Sequence, residues 1–219
     1  MTEQPPQIKA RRGCLFYGCL GGLIILLLVV IGGLIGLHYA KKMFSDFTDP
    51  QPIPLPAVRL SQPEIEQLRR QVDAFRESVR AGRQTSPLTL TADDINALIA
   101  TDPDLQPLKG KFYVTLENDH IKGQLSVSMQ ELGLPIFRDR YLNGSGTFSL
   151  SLRNGLLRLT AEDITVKGKP LPSPYMDSIR KENLARNINN NPRDSVALDR
   201  LQSIEVKDSK LIIVPKGSP

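Results

Sequence analysis

The chain has 219 residues, with 28 basic side chains, 23 acidic side chains and a formal net charge of +5. The positive excess lies mostly in the first 44 residues, which carry a net charge of +4, and the rest of the chain carries only +1. Because nucleic-acid-binding domains carry a basic face on their folded part, this distribution argues against a nucleic-acid ligand. The two cysteines, Cys14 and Cys19, precede residue 45, which excludes an internal disulfide, a thiolate metal site or a cysteine nucleophile in the domain that follows.

An uncharged apolar run at residues 15–39 follows a short basic tail, residues 1–14. As a helix, its 25 residues would reach about 37 Å, which is enough to cross a hydrocarbon core of ~30 Å. The run is longer than the apolar region of a cleaved signal peptide, and Lys41 and Lys42 directly follow it. We therefore predict one transmembrane helix at residues 15–40 in a single-pass membrane protein. The basic residues before and after the run favour a cytoplasmic tail and a domain outside the cytoplasm.

Six glycines of the predicted transmembrane helix cluster on one side. With 3.6 residues per turn they occupy a sector of about 120°, and Gly18 with Gly22 and Gly32 with Gly36 form two G-x-x-x-G pairs. The complete set is Gly18, Gly21, Gly22, Gly32, Gly33 and Gly36. Small residues let helix backbones approach closely in lipid, so this face predicts self-association or docking on another membrane helix. The alternative is that glycine is simply frequent in membrane helices.

Residues 41–60 form a predicted linker between the membrane helix and a domain at residues 61–219. Prolines alternate with other residues from Asp49 to Pro56, which disfavours a helix and favours an extended polyproline II conformation. The segment is therefore predicted to be a semi-rigid spacer that lifts the domain off the membrane.

Two amphipathic helices open the domain. Ser61, a proline in the first turn and Glu64 predict a helix start with a capping box. The apolar residues that follow recur at helical spacing: Ile65, Leu68, Val72, Phe75 and Val79. A shorter helix is predicted after Thr91, with Asp94 at its third position. Acidic residues are ordinary in a first helical turn, although a paired-carboxylate site at Asp93 and Asp94 is the chemical alternative.

From residue 111 the hydrophobic period changes to two, which predicts strands. The alternating runs are residues 112–116, 121–129, 148–152 and 157–159, with 164–166 as an extension or a further strand. Turns are predicted at residues 117–120 and at Asn154-Gly155. The result is an antiparallel meander with one apolar and one polar face.

A proline-rich bend at residues 170–174 precedes a predicted helix at 175–189, and a short turn of helix is predicted at 195–201. The chain ends in a predicted hairpin that pairs residues 204–206 with 211–214. The fold class is therefore α+β. It is an antiparallel sheet, made of a meander plus a C-terminal hairpin, covered by amphipathic helices and preceded by one transmembrane helix.

Few residues of the domain carry chemistry. His120, in a predicted turn, is its single histidine, so a Ser-His-Asp triad and a typical zinc site are poorly supported. Ser178 and Lys181 fit the S-x-x-K signature of penicillin-binding proteins, but the accompanying S-D-N and K-T-G elements are absent. Asp102-Pro-Asp104 lacks the glycine and further oxygens of a calcium loop, and Asn143-Gly-Ser145 is a glycosylation sequon only in a eukaryotic secretory setting. We predict no catalytic residue, no metal ligand and no cofactor.

Residues 88–99, Leu-Thr-Leu-Thr-Ala-Asp-Asp-Ile-Asn-Ala-Leu-Ile, stand behind the N-terminal anchor and before the β-rich region. This layout resembles small uncharacterised bacterial proteins with a single membrane span and a domain of unknown function. The resemblance implies a bacterial cell-envelope setting, and it supplies no catalytic residue.

These patterns favour a membrane-anchored, non-enzymatic envelope domain that acts as a protein-interaction or scaffolding module. The apolar face of the sheet must be covered, and incomplete coverage by the helices would leave a groove for a lipid or another apolar ligand. Lipid or apolar-ligand binding is therefore the alternative function, and a carboxylate- or serine-dependent hydrolase is the second alternative. The expected partners are the membrane, a second copy of the chain, an envelope protein or a lipid.

Overall fold

The computed structural model describes residues 45–133 and 139–217, together with residues 27, 29–33, 36, 38 and 42. The chain divides into two compact units, Met1–Asp46 and Phe47–Pro219. The described residues of the first unit are helical. Most of the predicted transmembrane helix at 15–40, and the whole tail before it, lie outside the described residues. None of the described helices combines the length and the apolar character that crossing a bilayer requires.

The second unit is one eight-stranded antiparallel sheet with helices packed on it, which confirms the predicted α+β class. The strands are β1 (Leu88–Leu90), β2 (Phe112–Glu117), β3 (His120–Ser128), β4 (Tyr141–Arg153), β5 (Leu156–Val166), β6 (Lys169–Pro170), β7 (Leu201–Lys207) and β8 (Lys210–Pro215). The helices are α1 (Gln62–Arg80), α2 (Ala92–Thr101), α3 (Ser173–Lys181), α4 (Arg186–Asn190) and α5 (Pro192–Leu198), with a 3-10 helix at Pro103–Leu108. Strands β2 to β5 form the predicted meander, and β7 with β8 forms the predicted C-terminal hairpin.

Strand β4 is the centre of the sheet, and the sheet forks beside it. One edge of β4 pairs with β5, which continues to the two-residue β6. The other edge pairs first with β3 and then, through Ser151 and Glu205, with β7. Two arms therefore leave this edge, one made of β3 and β2 and the other of β7, β8 and β1.

The fork requires a long central strand, and β4 has 13 residues. The strand starts at Tyr141, well before the predicted run at 148–152. The sequence does not predict its first half because Gly144 and Gly146 interrupt the alternation of apolar and polar residues. An added Cβ at Gly146 would lie 2.8 Å from the backbone oxygen of Asp163, so the close approach of β5 explains this glycine. The sequence signal for the first half of the strand is therefore missing for a steric reason.

Helix α1 is attached to the sheet by its predicted apolar stripe. All five stripe residues are buried in the main hydrophobic core, together with Leu88 and Leu90 of β1, Leu152 of β4 and Leu201 of β7. Burying a side chain of this kind contributes about 1.5–3 kcal/mol relative to leaving it exposed. The helix begins as predicted, since the backbone N–H of Ser61 donates to a Glu64 carboxylate oxygen at 2.8 Å.

Helix α2 fills the fork between the two arms of the sheet. Its Ile99 packs in a second core cluster with Val114 and Leu116 of β2 and Val206 of β7. The buried Asn96 side chain pairs with Val114 on the outer edge of β2, because it accepts from the backbone N–H at 2.8 Å and donates to the carbonyl at 2.7 Å. One amide group thus takes the place of a neighbouring strand.

The outer edge of β5 is completed in the same way by two further asparagines. The Asn183 side chain donates to the carbonyl of Leu157 at 2.8 Å and accepts from the N–H of Leu159 at 3.1 Å. The Asn189 side chain accepts from the N–H of Leu157 at 3.0 Å and donates to its carbonyl at 2.7 Å. A guanidinium group from α3 donates to the carbonyl of Glu162 further along. These bonds occupy an edge that would otherwise be open to pairing with another chain.

The region after α3 differs from the prediction for this reason. The single helix predicted at 175–189 is two helices, α3 and α4, because Asn183 and its neighbours leave the helical path to bond with β5. Leu184 and Ile188 are consequently 45% and 43% exposed. The helix predicted at 195–201 is α5, which begins and ends three residues earlier.

The start of the predicted spacer is docked on the sheet, so the second compact unit begins before the predicted domain boundary. Asp49 and Tyr141 exchange two backbone hydrogen bonds of 2.8 Å. The buried Asn143 side chain donates to the Asp49 carboxylate at 3.0 Å and to the carbonyl of Gln51 at 2.9 Å. We call residues 48–53 the strap. Its prolines cannot donate to a ladder, so side-chain amides replace the missing strand pairing.

Candidate functional site

An apolar pocket of about 270 Å³ lies between α1 and the β7–β8–β1 arm of the sheet. Helix α1 contributes Val72, Phe75 and Val79 to one wall. The opposite wall consists of four aliphatic side chains: Leu88, Leu90, Leu201 and Ile213. Leu98 of α2 and Ala197 of α5 complete the apolar lining. The pocket therefore lies within the main core, where the sequence left open whether the helices close the apolar face.

The pocket exists because the helices cover the sheet unevenly. The α1 stripe presents a large side chain to the sheet at every turn, whereas α5 has only seven residues and presents the methyl group of Ala197. Protein interiors are otherwise close-packed, with few voids larger than a water molecule. A space of this size beside buried leucines and valines is therefore a distinct feature of the fold.

The chemistry of the lining selects an apolar occupant. An ordered water needs two to four polar partners, and an apolar cavity of ~150 Å³ stays dry and binds small apolar molecules. At about 30 Å³ for each group of the size of a water or methylene, the pocket holds about nine such groups. Its volume lies just below the usual range of small-molecule sites, ~300–1,000 Å³. A segment of one alkyl chain of about this length fits the pocket.

Three charged side chains line the same pocket: Arg76, Arg80 and Asp194. The guanidinium of Arg76 forms an ion pair with the buried Asp102 at 3.0 Å, so its charge is already balanced. The side chain of Arg80 is exposed and that of Asp194 is half-buried. Among the described residues, neither side chain has a hydrogen-bond or ion-pair partner. The apolar pocket thus has one positive and one negative group at its rim.

Arg200 fixes the end of α1 beside this rim. Its guanidinium donates to the carbonyl of Val79 at 2.8 Å and also to the carbonyl of Arg80. The last carbonyl groups of a helix lack partners within the helix, and a basic side chain satisfies them favourably. Arg200 therefore positions the last turn of α1.

A larger cleft of about 350 Å³, lined mainly by polar residue types, lies where the strap meets β4 and β5. Its buried Asn143 is fully engaged, since the side-chain oxygen accepts from the Ser126 hydroxyl at 2.8 Å and from the N–H of Ile53 at 3.4 Å. Lys167 stands 3.7 Å from the Asp49 carboxylate in the same cleft. These contacts hold the strap on the sheet. Because Asn143 is only 4% exposed, the sequon is inaccessible and its asparagine has a structural role.

The six predicted glycines are only partly described. Gly18, Gly21 and Gly22 lie outside the described residues. Gly32, Gly33 and Gly36 are helical, and a Cβ added at any of them would meet no described atom within 4 Å. This face is open among the described residues, and its role in helix packing stays a prediction.

Two of the acidic residues noted in the sequence, Asp94 and Asp102, have structural roles. Asp94 accepts from the N–H of Thr91 at 2.8 Å and completes the capping box of α2. Asp102 pairs with Arg76 and accepts from the N–H of Asp104 at 2.9 Å at the start of the 3-10 helix. No three histidine, cysteine or acidic side chains converge as a metal site in the part of the chain that the structure describes.

A histidine, a carboxylate and a serine do meet on the exposed face of the sheet. His120 is the first residue of β3, not a turn residue as predicted, and its Nε2 lies 3.1 Å from a Glu162 oxygen. The Ser149 hydroxyl donates to the same oxygen. The carboxylate therefore separates serine from histidine, whereas a catalytic triad needs direct contact between them. Ser178 and Lys181 are both exposed on α3.

Sequence reasoning identified the walls of the pocket but not its opening. The apolar stripe of α1 and the alternating strands predict which residues face each other. Nothing in their spacing shows that α5 leaves a gap, or that Arg80 and Asp194 face the same space. A short helix with a small residue on its inner side is the one available signal, and it is weak.

No protein-family model, curated protein or solved structure matches this chain. The resemblance to small bacterial single-span proteins therefore stays a prediction. Function is inferred from the pocket and its rim alone.

Proposed function

We propose that this chain is a membrane-tethered domain that binds the alkyl chain of an amphiphile in the apolar pocket between α1 and the sheet. The observation that carries the proposal is an open pocket of about 270 Å³ whose walls are mainly aliphatic side chains. An apolar chain that enters it leaves water and gains dispersion contacts, and each buried methylene contributes about 0.8 kcal/mol.

The pocket reverses the order of the two functions favoured by the sequence. Protein partnering was the first expectation and apolar-ligand binding the alternative. A closed core under α1 would have left partnering in first place. The open pocket instead supports a ligand function, and the charged groups at its rim suit the polar head of an amphiphile.

The proposed role involves binding without a reaction. Asp194 is the one described acidic residue that lines the pocket, and the nearby Asp102 is paired with Arg76. The predicted membrane helix at residues 15–40 would keep the domain close to a source of lipid.

The direct test uses residues 45–219, which contain the whole second compact unit and its core. This fragment is purified from bacteria, its fold is verified by circular dichroism, and bound lipid is extracted and identified by mass spectrometry. We expect about one lipid per protein. Ala197→Leu fills the pocket and should remove the lipid while the fold is retained.

Ala74→Leu is the matched control, because it adds the same side chain on the exposed face of α1. This variant should keep its lipid. A lipid-free wild-type domain, or lipid that stays bound to Ala197→Leu, would contradict the proposal.

Protein partnering remains the second candidate because apolar side chains are exposed around α4, α5 and the β4–β5 turn. They are Leu156, Leu184, Ile188 and Val196, and they are 43–56% exposed. Contiguous exposed apolar surface marks interaction sites. If crosslinking captures a partner that Leu156→Asp with Val196→Asp abolishes while lipid binding persists, this surface is a separate protein interface.

A further inference from the structure

Two opposite charges stand at the rim of the apolar pocket without a partner among the described residues. Arg80 lies in the last turn of α1, and Asp194 lies in the first turn of α5. Each charge suits its helix end electrostatically. This preference explains the residue types, but it does not explain why both residues line one pocket and have no side-chain partner among the described residues.

We infer that the pocket binds an amphiphile whose head group combines a phosphodiester with a primary ammonium group. This inference rests on the proposed function, because it names the class of ligand for the same pocket. The guanidinium of Arg80 binds the phosphodiester, and the carboxylate of Asp194 binds the ammonium. The alkyl chain lies among the aliphatic side chains between α1 and the sheet.

The chemistry of the two groups supports this assignment. A guanidinium presents several N–H donors in a plane and forms paired hydrogen bonds with phosphate oxygens. A carboxylate only accepts hydrogen bonds, and an ammonium group with three N–H donors is its natural partner. The remaining arginine at the rim, Arg76, is balanced by Asp102 at 3.0 Å. Of the charged side chains that line the pocket, Arg80 and Asp194 are therefore left as one positive and one negative group, a pattern complementary to a zwitterion.

Other common head groups fit less well. A purely anionic head would satisfy Arg80 but would leave Asp194 unpaired beside a like charge, which is unfavourable. A quaternary ammonium has no N–H to donate and is usually bound by an aromatic cage. The pocket lining has a single aromatic residue, Phe75, which is buried in the wall. We therefore expect the pocket to bind an ethanolamine phospholipid more tightly than a glycerol or a choline phospholipid.

The test uses the full-length chain reconstituted in phosphatidylcholine vesicles. The vesicles contain a trace of phosphatidylethanolamine, phosphatidylglycerol or phosphatidylcholine with a photoreactive group on one alkyl chain. After irradiation, mass spectrometry measures lipid attached to peptides from α1 and α5. We expect the ethanolamine lipid to label these peptides about threefold to fivefold more than the others, as partly exposed charge pairs of this kind allow.

Single substitutions separate the two charges. Arg80→Gln should lower labelling by all three lipids to the same extent, because each of them carries the phosphodiester. Asp194→Asn should lower labelling by the ethanolamine lipid alone. Arg70→Gln on the exposed face of α1 and Asp177→Asn on α3 are the controls and should change nothing.

Equal labelling of the wild type by all three lipids overturns the inference and leaves the proposed function intact. An equal loss of labelling by all three lipids in Asp194→Asn would also overturn the inference and leave the proposed function intact. If no lipid labels the pocket and Ala197→Leu changes nothing, both the inference and the proposed function are wrong.

Discussion

Helix α1 and the chain after α3 lie on the same sheet, but different forces hold them there. Five buried apolar side chains attach α1, and the contacts that they make are not directional. The chain after α3 is attached to β5 by the side-chain amides of Asn183 and Asn189, whose hydrogen bonds measure 2.7–3.1 Å. The first region contains the pocket, and the second follows the strand edge closely.

The comparison shows how each kind of contact tolerates empty space. Apolar burial depends on area, so a helix can be firmly attached while a gap remains beside it. A hydrogen bond from a side-chain amide is lost when its partner is displaced by about an ångström, so it fixes the backbone locally. A ligand site is therefore easier to form under α1 than beside β5.

The largest expected effect comes from deleting apolar volume in the first region. Leu68→Ala removes a buried side chain of the α1 stripe that does not line the apolar pocket. We expect the free energy of unfolding to fall by about 3 kcal/mol, measured by urea denaturation. Gln67→Ala, on the exposed face next to it, should have little effect. A loss below about 1 kcal/mol for Leu68→Ala would mean that α1 is loosely packed along its whole length.

A smaller effect is expected from removing one amide in the second region. Asn183→Ala leaves the N–H groups of Leu159 and Ala185 without their side-chain acceptor. We expect a loss of about 1.5 kcal/mol, because water reaches this half-buried site and replaces part of each bond. The Leu159 amide should also exchange its hydrogen faster. Asn187→Ala, an exposed residue of α4, is the matched control, and equal effects of the two variants would show that the amide bonds do not hold this edge.

The smallest expected effect concerns the start of α1. Hydrogen bonds from the hydroxyl and backbone N–H of Ser61 lower the pKa of the Glu64 carboxyl below its ordinary value of 4.5. Because the pKa is lowered in the folded state, this contribution to stability is fully present above pH 4.5 and is lost as the pH falls through the lowered pKa. The stability difference between the wild type and Glu64→Gln should therefore shrink in acid. A stability difference for Glu64→Gln that stays constant as the pH falls would contradict the role of the ionised carboxyl.

The elements that the sequence predicts correctly are those whose signals are local. The cap at Ser61 and the stripe after it define α1, Thr91 and Asp94 define α2, and Asn154-Gly155 defines the β4–β5 turn. Each signal is contained within one turn or one repeat of the element. Periodicity and capping therefore suffice for the α+β class and for most of the strand order.

The missed features depend on single residues that act at long range. Asn183 breaks the predicted helix at 175–189 because its partners lie on β5, 24 and 26 residues earlier in the chain. Asn143 docks the predicted spacer through partners more than 90 residues earlier. An asparagine in the sequence gives no indication of whether its amide will replace a strand. Whether the helices leave a pocket could not be decided from the sequence for a related reason, since its size depends on how α5 is positioned relative to α1.

The strap determines where a mechanical load enters the fold. Residues 48–53 precede α1 in the chain, so tension applied from the N-terminal side reaches the strap first. There, Arg140 donates to the hydroxyl and carbonyl of Thr48, and Asp49 is bonded to Tyr141 at the start of the central strand. The pull is borne by the middle of the sheet, and α1 carries no load until these bonds break. A pull applied from the N-terminal side would therefore leave the pocket in shape until the strap is released.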